Sequence, residues 1–264
     1  MFNGGVTRTV DLNADLGERE SVTDVDRGVI DAVTSVSIAC GFHAGSRSVM
    51  SDVARICGDQ GITIGAHVSY RDRAGFGRRV VHVQHEQLVA DIVEQCDALA
   101  GAASGVGAGV AYVKPHGALY NAMATDDDVA AAVVEAVASQ SHRTLVAQAH
   151  TTVVRLAAAA GIRTVYEGFP DRGYLSDGRL APRDAAKAIV HDPEEAGARA
   201  CSLVLDGGIV AVDGGWTPVT VDTLCVHGDT PDADRRARSV RAALESAGVV
   251  LRTFAPDTHH SADG

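Results

Sequence analysis

The sequence predicts an α/β fold in which seven β-α units close as an irregular (β/α)7-type barrel. Short β-branched or apolar runs alternate along the chain with Ala-rich stretches at helical period, the pattern of repeated β-α units. A length of 264 residues suits one such barrel with a full-sized core. The strand candidates also run, one after another, into histidine, lysine or carboxylate residues, as the carboxyl edge of a parallel sheet does where it carries a site.

Strands are expected at 8–12 (RTVDL), 36–40 (VSIAC), 62–66 (ITIGA), 110–114 (VAYVK), 144–148 (TLVAQ), 163–167 (RTVYE) and 223–226 (TLCV). Helices fall between them. One at 48–59 precedes "GITIG", and one at 83–100 precedes the glycine-rich "GAASGVGAG". A third, at 126–139, starts after a Thr125 cap, and a fourth, at 151–160, is stopped by Gly161. The last opens with Thr230 as its cap and Pro231 at its first helical position. The stretch 206–221, with glycine pairs around short β-branched runs, reads as a small hairpin excursion. Residues 1–254 are thus expected to form one barrel domain and 255–264 a disordered tail.

The formal net charge of −11 argues against nucleic acid or an anionic membrane surface as partner. No apolar run approaches the roughly 20 residues needed to span a bilayer, and "MFNGGVTRTV" does not read as a signal peptide. Five cysteines, odd in number and without a C-x-x-C pair, fit reduced thiols in a cytoplasm. "GVGAGV" precedes a strand rather than following one, so it is no dinucleotide fingerprint. There is neither a G-x-x-x-x-G-K-[ST] loop nor a G-x-S-x-G elbow, and Cys40 reads as an inert buried thiol.

The polar residues cluster where the strands end. The first strand runs into "DLNADLGE", with Asp11, Asn13, Asp15 and Glu18. The second ends near His43, the third at His67, the fourth in Lys114-Pro115-His116, and the last in His227-Gly228-Asp229. A single histidine at a strand end is usually packed, but burying this many polar groups without partners costs a few kcal/mol each, so their recurrence points to a site. His150 is the exception and reads as a cap or packing residue at a helix start. Arg78 and Arg79 in "GFGRR", and Asp171 and Arg172 in "DRGY", add loop residues able to bind a carboxylate or phosphate.

The blocks "DLNADLGE", "IACGFHAG", "GAHVSY", "GFGRR", "VKPHGALYN", "DRGY", "APR" and "CVHGDTP" together resemble the LamB/YcsF family over about residues 11–250. The resemblance implies a barrel related to glycoside hydrolase and deacetylase barrels. It also implies the role of the A-subunit of a multi-subunit 5-oxoprolinase, in which ATP drives opening of 5-oxoproline to L-glutamate in complex with subunits B and C. The chain departs from the family pattern after the "GE" block, where Glu18 is followed by "RESVTDVDRG", and at Ser37, Ser46, Val68, Gly168 and Pro170. These changes touch the rim of the site and leave open a lactam other than 5-oxoproline.

A five-membered lactam is an unstrained amide. Opening it requires a polarised oxygen, a positioned water or phosphoryl group, and an acid for the leaving nitrogen. The expected cast is Asp15 or Asp11 as base, Lys114 for oxyanion or phosphate charge, and His116 as acid. His43 and His67 form a polarising pair or, with Asp11 or Asp15, bind a divalent metal. Asn13, Glu18, Arg78, Arg79, Asp171, Arg172, His227 and Asp229 line the substrate side, with Arg172 gripping the substrate carboxylate. Two other readings stand beside this one: a metal-dependent deacetylase or amide hydrolase, and a non-catalytic binding subunit. Oligomeric state stays open, a homo-oligomer included.

Overall fold

The computed structural model describes residues 8–142, 144–230 and 232–255. Its strands are β1 (Thr9–Leu16), β2 (Ser35–Ala39), β3 (Thr63–Val68), β4 (Val110–Pro115), β5 (Thr144–Ala147) and β6 (Arg163–Gly168), then β7 (Gly208–Val210), β8 (Trp216–Pro218), β9 (Thr223–His227) and β10 (Val250–Leu251). β1 to β6 pair in order and in parallel, β9 follows β6, and β9 closes on β1. The result is the expected closed seven-stranded barrel. β10 adds to β1 at its start, and β7 and β8 form the expected antiparallel hairpin outside the barrel.

The helices are α1 (Asp24–Ile30), α2 (Arg47–Asp59), α3 (His85–Ser104), α4 (Gly117–Ala122), α5 (Asp127–Ala138), α6 (Thr152–Ala159), α7 (Pro193–Cys201) and α8 (Ala233–Ser246). Along β1 the side chains alternate: Val10, Leu12, Ala14 and Leu16 join the main apolar core, while Asp11, Asn13 and Asp15 bond with residues of other barrel strands across the interior. The interior is therefore polar, in contrast to the Val, Ile and Leu layers usual in such barrels. Its floor is a separate small cluster of Tyr112, Val146 and Val165, packed against Phe254. Gly65 gives Tyr112 its place there, since a Cβ at residue 65 would lie 2.1 Å from the Tyr112 ring.

Several expectations about elements need correction. α1 and α7 were not anticipated, although both carry signals: Thr23 and Asp26 form a capping box, and Asp192 caps a helix with Pro193 in its first turn. α5 is capped by Asp126 rather than Thr125, because the Asp126 carboxylate accepts from the backbone of Asp128 and Val129. Thr230 does not cap α8; Asp232 holds that position without a side-chain bond, and the Thr230 hydroxyl accepts from Arg236 instead. Pro231 and residues 256–264 of the expected tail lie outside the described residues, whereas Ala255 is buried.

Candidate active site

Alternation in the strands sets the first part of the site. Asp15, Asn13 and Asp11 point inward at successive heights along β1. Lys114, near the end of β4, reaches across to them: its Nζ lies 2.8 Å from Asp15 Oδ1, 3.1 Å from Asn13 Oδ1 and 2.7 Å from Glu167 Oε1. Burial disfavours the Lys114 ammonium, but Asp15, Cys225 and Glu167 reverse that and hold it charged. Burial also works against the Asp15 carboxylate. The adjacent Lys114 ammonium prevails and keeps it well below the usual carboxylate range. Glu167, buried on β6, is pushed up by desolvation against the pull of Lys114.

Asp11 is not part of this group. It sits at the start of β1, where Thr34, Ser35 and Thr223 donate their hydroxyls to it, and burial pushes its carboxyl up to about 6. Neither the base role nor the metal-ligand role expected of Asp11 is compatible with that position, because the imidazoles stand at the other end of the barrel.

The second part is an imidazole cluster. His43, just after β2, stacks on His116 with centroids 4.0 Å apart, and His67, at the end of β3, meets both edge-on. His67 Nε2 and His116 Nδ1 are 2.9 Å apart, and Glu18 Oε1 lies 3.2 Å from His43 Nε2. Burial lowers His43 and His116 to about 4, and lowers His67 well below its ordinary value. Desolvation pushes Glu18 up to about 7.

The "GFGRR" loop covers this cluster. Gly77, with φ of 64°, lies against the stacked rings, and a Cβ there would come 2.8 Å from His116 Cδ2 and 2.9 Å from His43 Cβ. Phe76, in the left-handed region at φ 53°, turns its carbonyl onto His116 Nε2. The loop is held by Asp72, which accepts from the Gly75 and Arg79 backbone and pairs with the Arg79 guanidinium. Arg79 thus clamps the loop, with a 65% exposed side chain, and does not line the cavity. Adjacent Arg78 points the other way, pairs with Asp229 at 2.6 Å and lines the cavity.

That cavity, about 740 Å³, opens at the carboxyl ends of the strands. Asp15, Glu18, His67, Lys114, His116, His227 and Asp229 line one side. The segment 169–192, after β6, forms the opposite wall with Phe169, Arg172, Arg179 and Arg183. The Arg172 guanidinium donates to the carbonyls of Ala188 and Ala181, which fixes it in the wall, and burial lowers it to about 10. Asp171 stands behind His227 and accepts from its Nδ1 at 2.8 Å and from its backbone. Burial acts against the Asp171 carboxylate, but His227 and Arg236 hold it below its ordinary value.

Of the expected residues, Asp15, Glu18, His67, Arg78, Lys114, His116, Arg172, His227 and Asp229 reach the cavity. Asn13 lies below them, His43 behind His116, and Asp171 behind His227. Glu167, Phe169, Arg179, Arg183 and Ser69 were missed. Glu167 was the readable one, since Val165 and Glu167 share the inward face of an expected strand. His150 is exposed and away from the imidazoles, with a positive φ of 61°, as a helix-start residue outside the site.

The sequence profile of the LamB/YcsF family matches residues 10–259. The chain is 47% identical over 250 residues to the A-subunit of 5-oxoprolinase from Streptomyces griseus, covering 93% of this chain and all of that one. A crystal structure of the lactam utilization protein from Thermus thermophilus superposes with a TM-score of 0.87 at 41% identity, over 93% of this chain and 100% of that one. The peptidoglycan deacetylase PdaC of Bacillus subtilis, at 10% identity and a TM-score of 0.51 over 94% of this chain and 88% of that one, shares the barrel fold alone. On the profile match and the identity along nearly its whole length, the chain belongs to the LamB/YcsF family.

Proposed function

We propose that this chain is the A-subunit of a 5-oxoprolinase, a hydrolase that opens the lactam of 5-oxoproline to L-glutamate, with residues 1–254 acting as one catalytic barrel. The observation that carries this reading is the juxtaposition, in one cavity, of a charged Asp15–Lys114 pair, an Asp171-backed His227 and an arginine-bearing wall. An anionic lactam fits such a cavity: Arg172 and Arg78 hold its carboxylate, and the carbonyl lies toward Lys114.

In the reaction, water adds its oxygen to the ring carbonyl, the C–N bond breaks, and the ring nitrogen takes up a proton to become the amine of glutamate. Asp15, held ionised, orients the attacking water by accepting a hydrogen bond from it. His227 Nε2 takes the water's proton and passes it to the ring nitrogen, and Lys114 stabilises negative charge on the carbonyl oxygen. The acid assigned to His116 by sequence moves to His227. His116 donates Nε2–H to Phe76 O and turns Nδ1 into the imidazole cluster, whereas His227 is oriented by Asp171 through Nδ1 and leaves Nε2 toward the cavity.

In complex with subunits B and C, ATP would phosphorylate the lactam oxygen and leave as ADP. Water addition and C–N cleavage would then give an acyl phosphate, which a second water hydrolyses to glutamate and inorganic phosphate. The sequence has no phosphate-cradling loop of its own, which favours dependence on those partners. Among the described residues no helix is long and apolar enough to cross a membrane, and all five cysteines are free. Both features fit work in the cytoplasm. The test is turnover of 5-oxoproline with ATP by the chain alone and with subunits B and C. Glutamate and ADP formed together only in the mixture support the reading; ATP-independent opening by the chain alone would replace it with a simple amide hydrolase.

A further inference from the structure

We propose that Glu18, His43, His67 and His116 form a binding site for one divalent transition-metal ion of the zinc class. Each imidazole has one nitrogen committed as a donor. Carbonyl oxygens only accept, so His67 Nδ1 donates to Lys114 O at 3.0 Å and His116 Nε2 donates to Phe76 O at 2.9 Å. Ser69 spends its hydroxyl proton on Tyr70 O at 2.8 Å, so His43 Nδ1, 3.1 Å from Ser69 Oγ, is the donor there. In the neutral rings, lone pairs are then left on His67 Nε2, His116 Nδ1 and His43 Nε2.

Those three lone pairs converge on one another and on Glu18 Oε1. His67 Nε2 to His116 Nδ1 is 2.9 Å, His43 Nε2 to Glu18 Oε1 is 3.2 Å, and Glu18 Oε1 lies 3.6 Å from His116 Nδ1 and 3.9 Å from His67 Nε2. All four atoms fall within 4.8 Å of one another. With Glu18 ionised this is a buried set of acceptors with no donor of its own, which is unfavourable unless a cation joins it.

A tetrahedral ion with bonds of about 2.0–2.1 Å needs ligand atoms about 3.3–3.4 Å apart, and the separations above bracket that value. Three imidazoles and one carboxylate suit zinc and its neighbours rather than magnesium or calcium. The carbonyl and hydroxyl partners on the far ring nitrogens are the outer support that metal-binding histidines usually have. Lys114, whose charge would oppose a cation, is turned to Asp15 and Glu167 instead. The site differs from the sequence expectation of Asp11, His43 and His67, and it does not depend on which lactam is opened.

The test uses the full chain, stripped of metal and titrated with Zn²⁺ by calorimetry and with Co²⁺ by visible absorption. Wild type should bind one ion per chain with a dissociation constant on the order of micromolar or tighter, and its melting temperature should rise with Zn²⁺. Glu18→Gln, His67→Gln and His116→Gln should each lose about 10–100-fold in affinity or more, while His150→Gln binds as wild type. Because the wild-type titration stands alone, misfolding of a variant does not decide the matter. Wild-type binding about 100-fold weaker than micromolar, or equal affinity in His67→Gln and His150→Gln, overturns the site.

Discussion

Lys114 Nζ lies 2.7 Å from Glu167 Oε1 inside the barrel, while Asp15 holds its other side at 2.8 Å. One buried ammonium thus serves two carboxylates, and removing it leaves both uncompensated. Lys114→Met should cost about 3–5 kcal/mol and lower the melting temperature by roughly 10 °C. Glu167→Gln, which leaves the Asp15–Lys114 pair intact, should cost clearly less. Thermal unfolding of the two variants checks the order.

Asp171 does not line the cavity, yet it sets the ring of His227. Asp171→Asn should lower kcat by about 100-fold or more while KM changes little, since an amide can present the wrong hydrogen-bonding partner to Nδ1. It should also change the basic limb of the pH–rate profile. A variant with normal kcat and an unchanged profile would remove His227 from the proton-transfer role.

Arg78 and Arg79 are neighbours in sequence with different work. Arg78→Ala should raise KM about 10-fold or more, as a lost charge-assisted contact to a carboxylate does. Arg79→Ala should leave KM within about 3-fold, because its guanidinium faces Asp72 in the loop. Steady-state kinetics in the assembled complex distinguishes the two.

Asp11 gives a pH signature. Its carboxyl is at about 6 in the folded barrel against an ordinary value of 3.8, so the folded state holds the proton more tightly than the unfolded chain. The cost of burying its charge is fully present above the folded value and is relieved as pH falls through about 6 toward 3.8. An Asp11→Asn variant lacks this dependence. Relative to wild type it should gain on the order of 3 kcal/mol as pH rises from about 4 to about 7, read from paired denaturation curves. Parallel curves would show that Asp11 does not titrate in that window.

The barrel and most of the cavity were legible because carboxyl ends of parallel strands meet on one face, so His67, Lys114, His116 and His227 could be gathered without knowing any distance. Height along a strand was not legible. Asp11 and Asp15 share a face but stand four residues, about 13 Å, apart, so one faces hydroxyls at the base and the other faces the cavity. Loop direction was hidden too: nothing in "GFGRR" says that its two arginines diverge. The role of Glu18 in closing the imidazole cluster depends on the turn after β1, which carries no periodic pattern.

Asp15 joins the Lys114 pair to the cavity, and the ring-opening account rests on it most heavily. The direct measurement is 5-oxoproline-dependent glutamate formation by the complex with subunits B and C and ATP, comparing wild type with Asp15→Asn at matched assembly and folding. The account predicts a loss in kcat of about 100-fold or more, the scale of a removed electrostatic group. An assembled Asp15→Asn complex that turns over at the wild-type rate would contradict it.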